Sequence, residues 1–201
     1  MKRPHIITLS GKPGSGKSST ADKVAEILGY TRHSSGEMVR SLLKKNHLTL
    51  EEYNERAESE HNLDSQVDEE LRRLRDQSDI VIDSRLGFYW IPESFKVYLD
   101  LDLEIATARI FKDIKSNSSR SGEGGDHSLS SVAESVHERM INEQARFKSL
   151  YGVDPYSLER FDLIIDTSRH TPQSVALAVH DSYKDWLNSD TWEQRRSALP
   201  L

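Results

Sequence analysis

No cysteine occurs in the 201 residues, which removes disulfides, thiolate catalysis and cysteine-ligated zinc from consideration. No apolar run approaches the ~20 residues that crossing a bilayer requires. The opening Met1-Lys2-Arg3-Pro4 leads into a strand pattern with no signal-peptide core behind it. Cations are outnumbered, 27 Lys and Arg against 33 Asp and Glu, for a net charge of −6. General attraction to nucleic acid or anionic lipid is therefore not expected, and no basic face or aromatic platform supports it. The eight histidines (5, 33, 47, 61, 127, 137, 170, 180) are dispersed. None forms the i, i+4 pair with a nearby carboxylate of a helical metal site, and they read as surface or capping residues. The expectation is one cytoplasmic domain, acting as a monomer, with no membrane or nucleic-acid partner.

Glycine is sparse as well, ten in all, yet three fall within Gly11-Lys12-Pro13-Gly14-Ser15-Gly16-Lys17-Ser18. This stretch follows the apolar run Ile6-Ile7-Thr8-Leu9 and leads into a helical pattern over 20–28. Strand, glycine loop and helix in that order separate a phosphate-binding P-loop from a chance match to G-x-x-x-x-G-K-[ST]. Backbone N–H groups converge on phosphate oxygens where no Cβ intervenes, and the helix dipole aims its positive end at the same spot. Residues 11–18 with the following Ser19 are the expected ATP-binding set. Lys17 would reach the β- and γ-phosphates, and the Ser18 hydroxyl would ligate Mg²⁺, the expected cofactor.

Gly29 is placed to close the first helix, and Tyr30–His33 forms a weak strand pattern. Ser34 and Glu37 have the spacing of a capping box opening a helix through Leu43. Further helices are predicted over Leu50–Ser59 and Leu63–Arg75. Residues 79–85 then read as a buried parallel strand whose polar end meets a site, and Phe95–Asp100 as the next strand. A helix over 103–115, a Ser/Gly-rich loop over 116–131, a helix over 132–151, a strand at 163–167 and a helix from Pro172 to Leu187 complete the pattern. Alternating strands and helices predict an α/β fold, a doubly wound five-stranded parallel sheet, with 188–201 as a polar tail.

A P-loop implies a held triphosphate but not the acceptor. Phosphoryl transfer between two anions needs charge neutralised by arginines and a metal ion. Arg40, on the early helix, and Arg85, at a strand end, are candidates for bidentate contact with an acceptor phosphate. Arg109, Arg139 and Arg146 bracket the Ser/Gly loop, and Arg139 and Arg146, seven residues apart, share a helix face. Arg120, inside that loop, reads as solvated. Asp83 either holds Mg²⁺ or caps the next turn. Asp64 and Asp68 read either as acceptors for a base amine or as solvated carboxylates.

The P-loop, Ser35-Gly36-Glu37-Met38-Val39-Arg40, Leu63–Asp68, Val81–Leu86 and Arg146–Asp154 resemble, in order and spacing, the short cytidylate kinases of archaeal type. The closing Phe161–Ser168 is similar to their "YDLVINTS" strand. The resemblance implies a P-loop nucleoside monophosphate (NMP) kinase fold and ATP-dependent phosphorylation of CMP or dCMP, with small-molecule nucleotides as partners. It implies a core over about 1–34, 80–108 and 140–187, an NMP-binding insert over about 35–79 and a lid over about 109–139. Arg40 and Arg85 take the acceptor-phosphate positions, and Arg139 and Arg146 the lid positions that neutralise the transferring phosphate. Lys17 and Arg109 join them as catalytic candidates on the reading of the residues above, as Asp64 and Asp68 do for the acceptor base. The chain differs in having Asp83-Ser84-Arg85 for the usual Glu-Gly-Arg, and Gln144 where a further arginine is common. The alternatives are a P-loop kinase for another nucleotide or metabolite, or a nucleotide-binding regulatory protein with impaired catalysis.

Overall fold

Alternating side chains on short β-branched strands bury both faces of a sheet at once, as four of the strands here do, over residues 6–11, 80–83, 95–100 and 163–166. In the computed structural model, which describes residues 3–47, 62–116 and 128–197, six parallel strands run in the order β2-β3-β1-β4-β5-β6. They are β1 (Ile6–Gly11), β2 (Thr31–Ser34), β3 (Ile80–Asp83), β4 (Phe95–Asp100), β5 (Leu163–Asp166) and β6 (Arg195–Ser197). The helices are α1 (Lys17–Leu28), α2 (Ser35–Asn46), α3 (Asn62–Arg73), α4 (Gly87–Trp90), α5 (Leu103–Ser116), α6 (Leu129–Tyr151) and α7 (Pro172–Asn188). The helix predicted over 50–59, and most of the Ser/Gly loop with Arg120, lie outside the described residues.

Ile7, Leu9, Val81, Val97, Leu99, Leu163 and Ile165 face α1 and α7, where Ala21, Val24, Val175, Ala176, Val179 and Tyr183 meet them. Their neighbours Ile6, Ile80 and Ile82 face the other way, against Val67 and Leu71 of α3. Tyr98 and Ile164 on that same side meet Phe147 of α6 and Phe161. The period of two thus divides each strand between two helix layers. Ser34 caps α2 by accepting from Glu37 N–H, while the Glu37 carboxylate takes Arg32 instead. Gly29 and Gly152 end α1 and α6 in left-handed conformation.

The expected tail departs from the prediction. Arg195–Ser197 pairs in parallel with Leu163–Ile165, adding a sixth strand to the predicted five. Its Arg-Arg-Ser sequence carries no apolar alternation, so periodicity gives it no signal. It is held by main-chain bonds such as Arg195 N–H to Asp162 O (2.9 Å). The Trp192 ring also packs 5.8 Å from Phe95.

Phe95 is fully buried and meets Tyr183, Trp186 and Trp192 together. Phe95→Ala is therefore expected to lower unfolding free energy by about 3–5 kcal/mol, measured by urea denaturation.

Candidate active site

β1 is the central strand, and its C-terminal end opens between those of β3 and β4, the place where open α/β sheets bind ligands. Gly11 leaves β1 with φ +145°, and a Cβ there would lie 2.2 Å from Leu99 O. Gly14 and Gly16 are left-handed, and no side chain caps the start of α1. The first N–H groups of a helix lack internal acceptors. The Ser15 hydroxyl, 2% exposed, has no partner among the described residues. A buried orphan hydroxyl beside an uncapped helix start suits a bound phosphate.

Lys12 is a strut, binding Asp100 Oδ1 (2.8 Å) and Leu101 O (3.0 Å) at the end of β4. Pro13 is buried, Ser19 is exposed on α1, and Lys17 Nζ donates to Lys12 O at 2.9 Å. Burial first, then the Arg85 guanidinium and more weakly that of Arg139, depress the Lys17 ammonium well below the usual lysine value. Asp83 and Glu143 oppose them.

Ser18 Oγ donates to Asp83 Oδ2 at 2.6 Å, and Arg32 approaches the same oxygen at 3.4 Å. Arg32 also binds Asp22 of α1 and Glu37 of α2. Hydroxyl and carboxylate form a hard oxygen pair that would suit Mg²⁺. No group of three or more His, Cys, Asp or Glu suited to a metal exists among the described residues.

Arg85 is held from two sides, Nε donating to Glu143 Oε2 at 2.7 Å and Nη1 to Gly11 O at 2.6 Å. Arg139 Nε donates to Glu143 Oε1 at 2.9 Å, and Tyr156 Oη to Oε2 at 2.6 Å. Burial alone would raise the Glu143 carboxyl. The Arg85 and Arg139 guanidiniums and the two donated bonds outweigh it and hold the group well below the carboxylate range.

The predicted residues are brought together only in part. Lys17, Ser18, Asp83, Arg85 and Arg139 form one cluster. Arg40 is exposed on α2, its guanidinium beside Gly36. Arg109, on α5, reaches the chain just past β5, donating to Thr167 O (2.7 Å) and Ser168 O (3.1 Å). Arg146 is half-buried, over the Phe147 ring. Asp68 is not a solvated carboxylate: it is buried, accepting from Trp90 Nε1 (3.1 Å) and Tyr151 Oη (2.5 Å), which ties α3 to α4 and α6. Asp64 lies in the first turn of α3, and Gln144 is exposed, donating to Asp154 Oδ2 at 2.6 Å. Sequence reasoning missed Glu143, Tyr156 and Arg32. For Glu143 a signal existed, since Arg139, Glu143 and Arg146 recur at spacings of four and three on one helix face.

Gly11→Ala combines a disfavoured backbone with a carbonyl collision. Loss of ATP binding by calorimetry and destabilisation above about 2 kcal/mol are expected. The Glu143 carboxyl is depressed in the folded state, so its contribution to stability is complete above the unfolded value of about 4.3 and is lost as pH falls below it. Glu143→Gln should therefore show a smaller loss of urea stability between pH 7 and pH 3.5 than the parent.

A family model described as "Cytidylate kinase-like family" matches residues 6–169. The cytidylate kinase of Halobacterium salinarum is 32% identical over 88% of this chain and 88% of its own. That of Methanocella arvoryzae is 33% identical over 87% of this chain and 94% of its own. Among solved structures, the shikimate kinase of Acinetobacter baumannii covers 94% of this chain and 97% of its own, with a TM-score of 0.60 at 15% identity, a likeness of fold alone. The matched range takes in most of the chain, and relatives above 30% identity match over most of their own length, so the protein belongs to the cytidylate kinase-like family.

Proposed function

We propose that the protein transfers the γ-phosphoryl group of ATP to CMP or dCMP, yielding ADP and the cytidine diphosphate. The observation that carries this reading is the meeting of Lys17, Arg85 and Arg139 at the mouth of the P-loop, with Glu143 and Asp83 as counter-charges. A site built from cations around a phosphate cradle stabilises charge moving between two anions. The acceptor phosphate is already ionised at neutral pH, so its oxygen attacks the γ-phosphorus in line without a general base, and ADP departs. The loop N–H groups, Ser15 and Lys17 hold the donor phosphates. Arg85 and Arg40 hold the acceptor phosphate, and Arg139, Arg146 and Arg109 neutralise the transferring group. Mg²⁺, held by Ser18 and Asp83, would neutralise charge between the β- and γ-phosphates.

Residues 35–79 serve as the acceptor-binding insert in this reading, and 109–139 as a lid that excludes water. Cytosine recognition falls to the helix of Asp64 and Asp68, where Asp68 would act together with Trp90 and Tyr151. Among the described residues no helix is long and apolar enough to cross a membrane. Action as a cytoplasmic monomer on small-molecule nucleotides fits the absence of basic surface patterning in the sequence. The curated relatives do not favour a different acceptor or a purely regulatory role.

The test is ADP release with ATP and Mg²⁺ against CMP, dCMP, UMP, AMP and GMP. Turnover confined to the cytidine forms is expected, falling about 10²- to 10³-fold in Arg85→Ala. No turnover on the panel, with ATP still bound, would overturn the reading.

A further inference from the structure

Glu143 touches no phosphate-binding backbone, yet three side chains from three parts of the chain end on it. Arg85 comes from the exit of β3, Arg139 from one turn earlier on α6, and Tyr156 from the loop after α6. Its side chain is 13% exposed, as is that of Arg85. We infer that Glu143 is a positioning residue for phosphoryl transfer, holding Arg85 and Arg139 in their working orientation and joining the acceptor-phosphate arginine to the helix that leads out of the lid. This rests on the kinase reading above.

The geometry of Arg85 carries the argument. A guanidinium has five N–H donors. Glu143 takes the one on Nε and Gly11 O takes one on Nη1, which leaves three N–H donors for an incoming phosphate. An arginine on a flexible stem loses ~2 kcal/mol of rotamer freedom when fixed. Held before substrate arrives, it does not incur that loss at binding, and it does not reorganise as charge develops. Gly11 O is the first carbonyl of the P-loop, so the guanidinium is fixed beside the donor site, where the acceptor phosphate has to meet the γ-phosphoryl group.

Charge gives a second reason. Lys17, Arg85 and Arg139 lie near one another, and the carboxylates facing them are Asp83 on β3 and Glu143 on α6. Asp83 already receives Ser18 and Arg32. Without Glu143, Arg85 and Arg139 would keep no carboxylate of their own among these contacts, and each would swing toward solvent or another anion. Because Glu143 and Arg139 are on one helix, a shift of α6 moves both together and carries Arg85 with them.

A purely structural ion pair predicts lost stability with unchanged turnover, and the two cases separate experimentally. Glu143→Gln keeps the shape but not the charge. Its kcat with CMP should fall about 10- to 100-fold, while KM for ATP stays within about threefold, at a temperature where both proteins are folded. Glu143→Asp, which keeps the charge on a shorter stem, should recover part of the loss. In the free protein the Arg85 Nε–H resonance, assigned with Arg85→Lys, should be sharp and slowly exchanging and should broaden in Glu143→Gln. A Gln variant with kcat within twofold of the parent, or an Arg85 resonance unchanged by the substitution, would overturn the inference. The resonance needs no substrate, so it decides the point even if no nucleotide is turned over, an outcome that would count against the kinase reading alone.

Discussion

Three cations that repel one another are held together at the mouth of the P-loop. Lys17, Arg85 and Arg139 are crowded enough that burial and mutual repulsion push the lysine well below its ordinary value. Two carboxylates oppose this, Asp83 at the end of β3 and Glu143 on α6. In water such an arrangement would disperse. Here each cation is also held by a neutral group or a rigid element: Lys17 by Lys12 O, Arg85 by Gly11 O, and Arg139 by its place on a 23-residue helix. In the proposed reaction incoming phosphates would offset this excess of positive charge, so affinity for nucleotide and tension in the free site would be two aspects of one arrangement.

The sheet makes this possible. Parallel strands bring the exits of β1 and β3 side by side, with Leu9 in register with Asp83, so the P-loop and the Asp83-Ser84-Arg85 turn emerge together. Both sheet faces are covered by helices, which keeps the strand ends rigid while polar groups gather beyond them. Phe95, Tyr183, Trp186 and Trp192 pack at the start of β4 and the end of α7, and Asp68 of α3 joins Trp90 and Tyr151.

Within the family fold, the departures from the family's usual residues fall in two different places. Asp83 lies in the cluster, with Ser18 and Arg32 on one oxygen. Gln144 lies on the exposed side of α6, one residue but about 100° away from Glu143, and ties the helix to Asp154. A missing arginine at 144 therefore removes nothing from the cluster formed by 85, 139 and 143.

The P-loop, the strand–helix alternation, Gly29 and Ser34 as caps, and Arg85 at a buried strand's end were legible because each is set by local chemistry. Glycine conformations, apolar periods and cap hydroxyls act within a few residues, so the linear sequence alone determined them. β6 was not legible, since three polar residues become a strand only when a neighbouring edge offers main-chain partners. In the sequence Asp68 reads equally as a base contact or as a solvated carboxylate, and only the approach of Trp90 and Tyr151 shows it buried. Glu143 looks like one more surface glutamate on α6 until β3 delivers Arg85 to it from 58 residues away. These were decided by tertiary structure, because the free energy of a buried carboxylate or an unpaired edge depends on partners that only folding brings within reach.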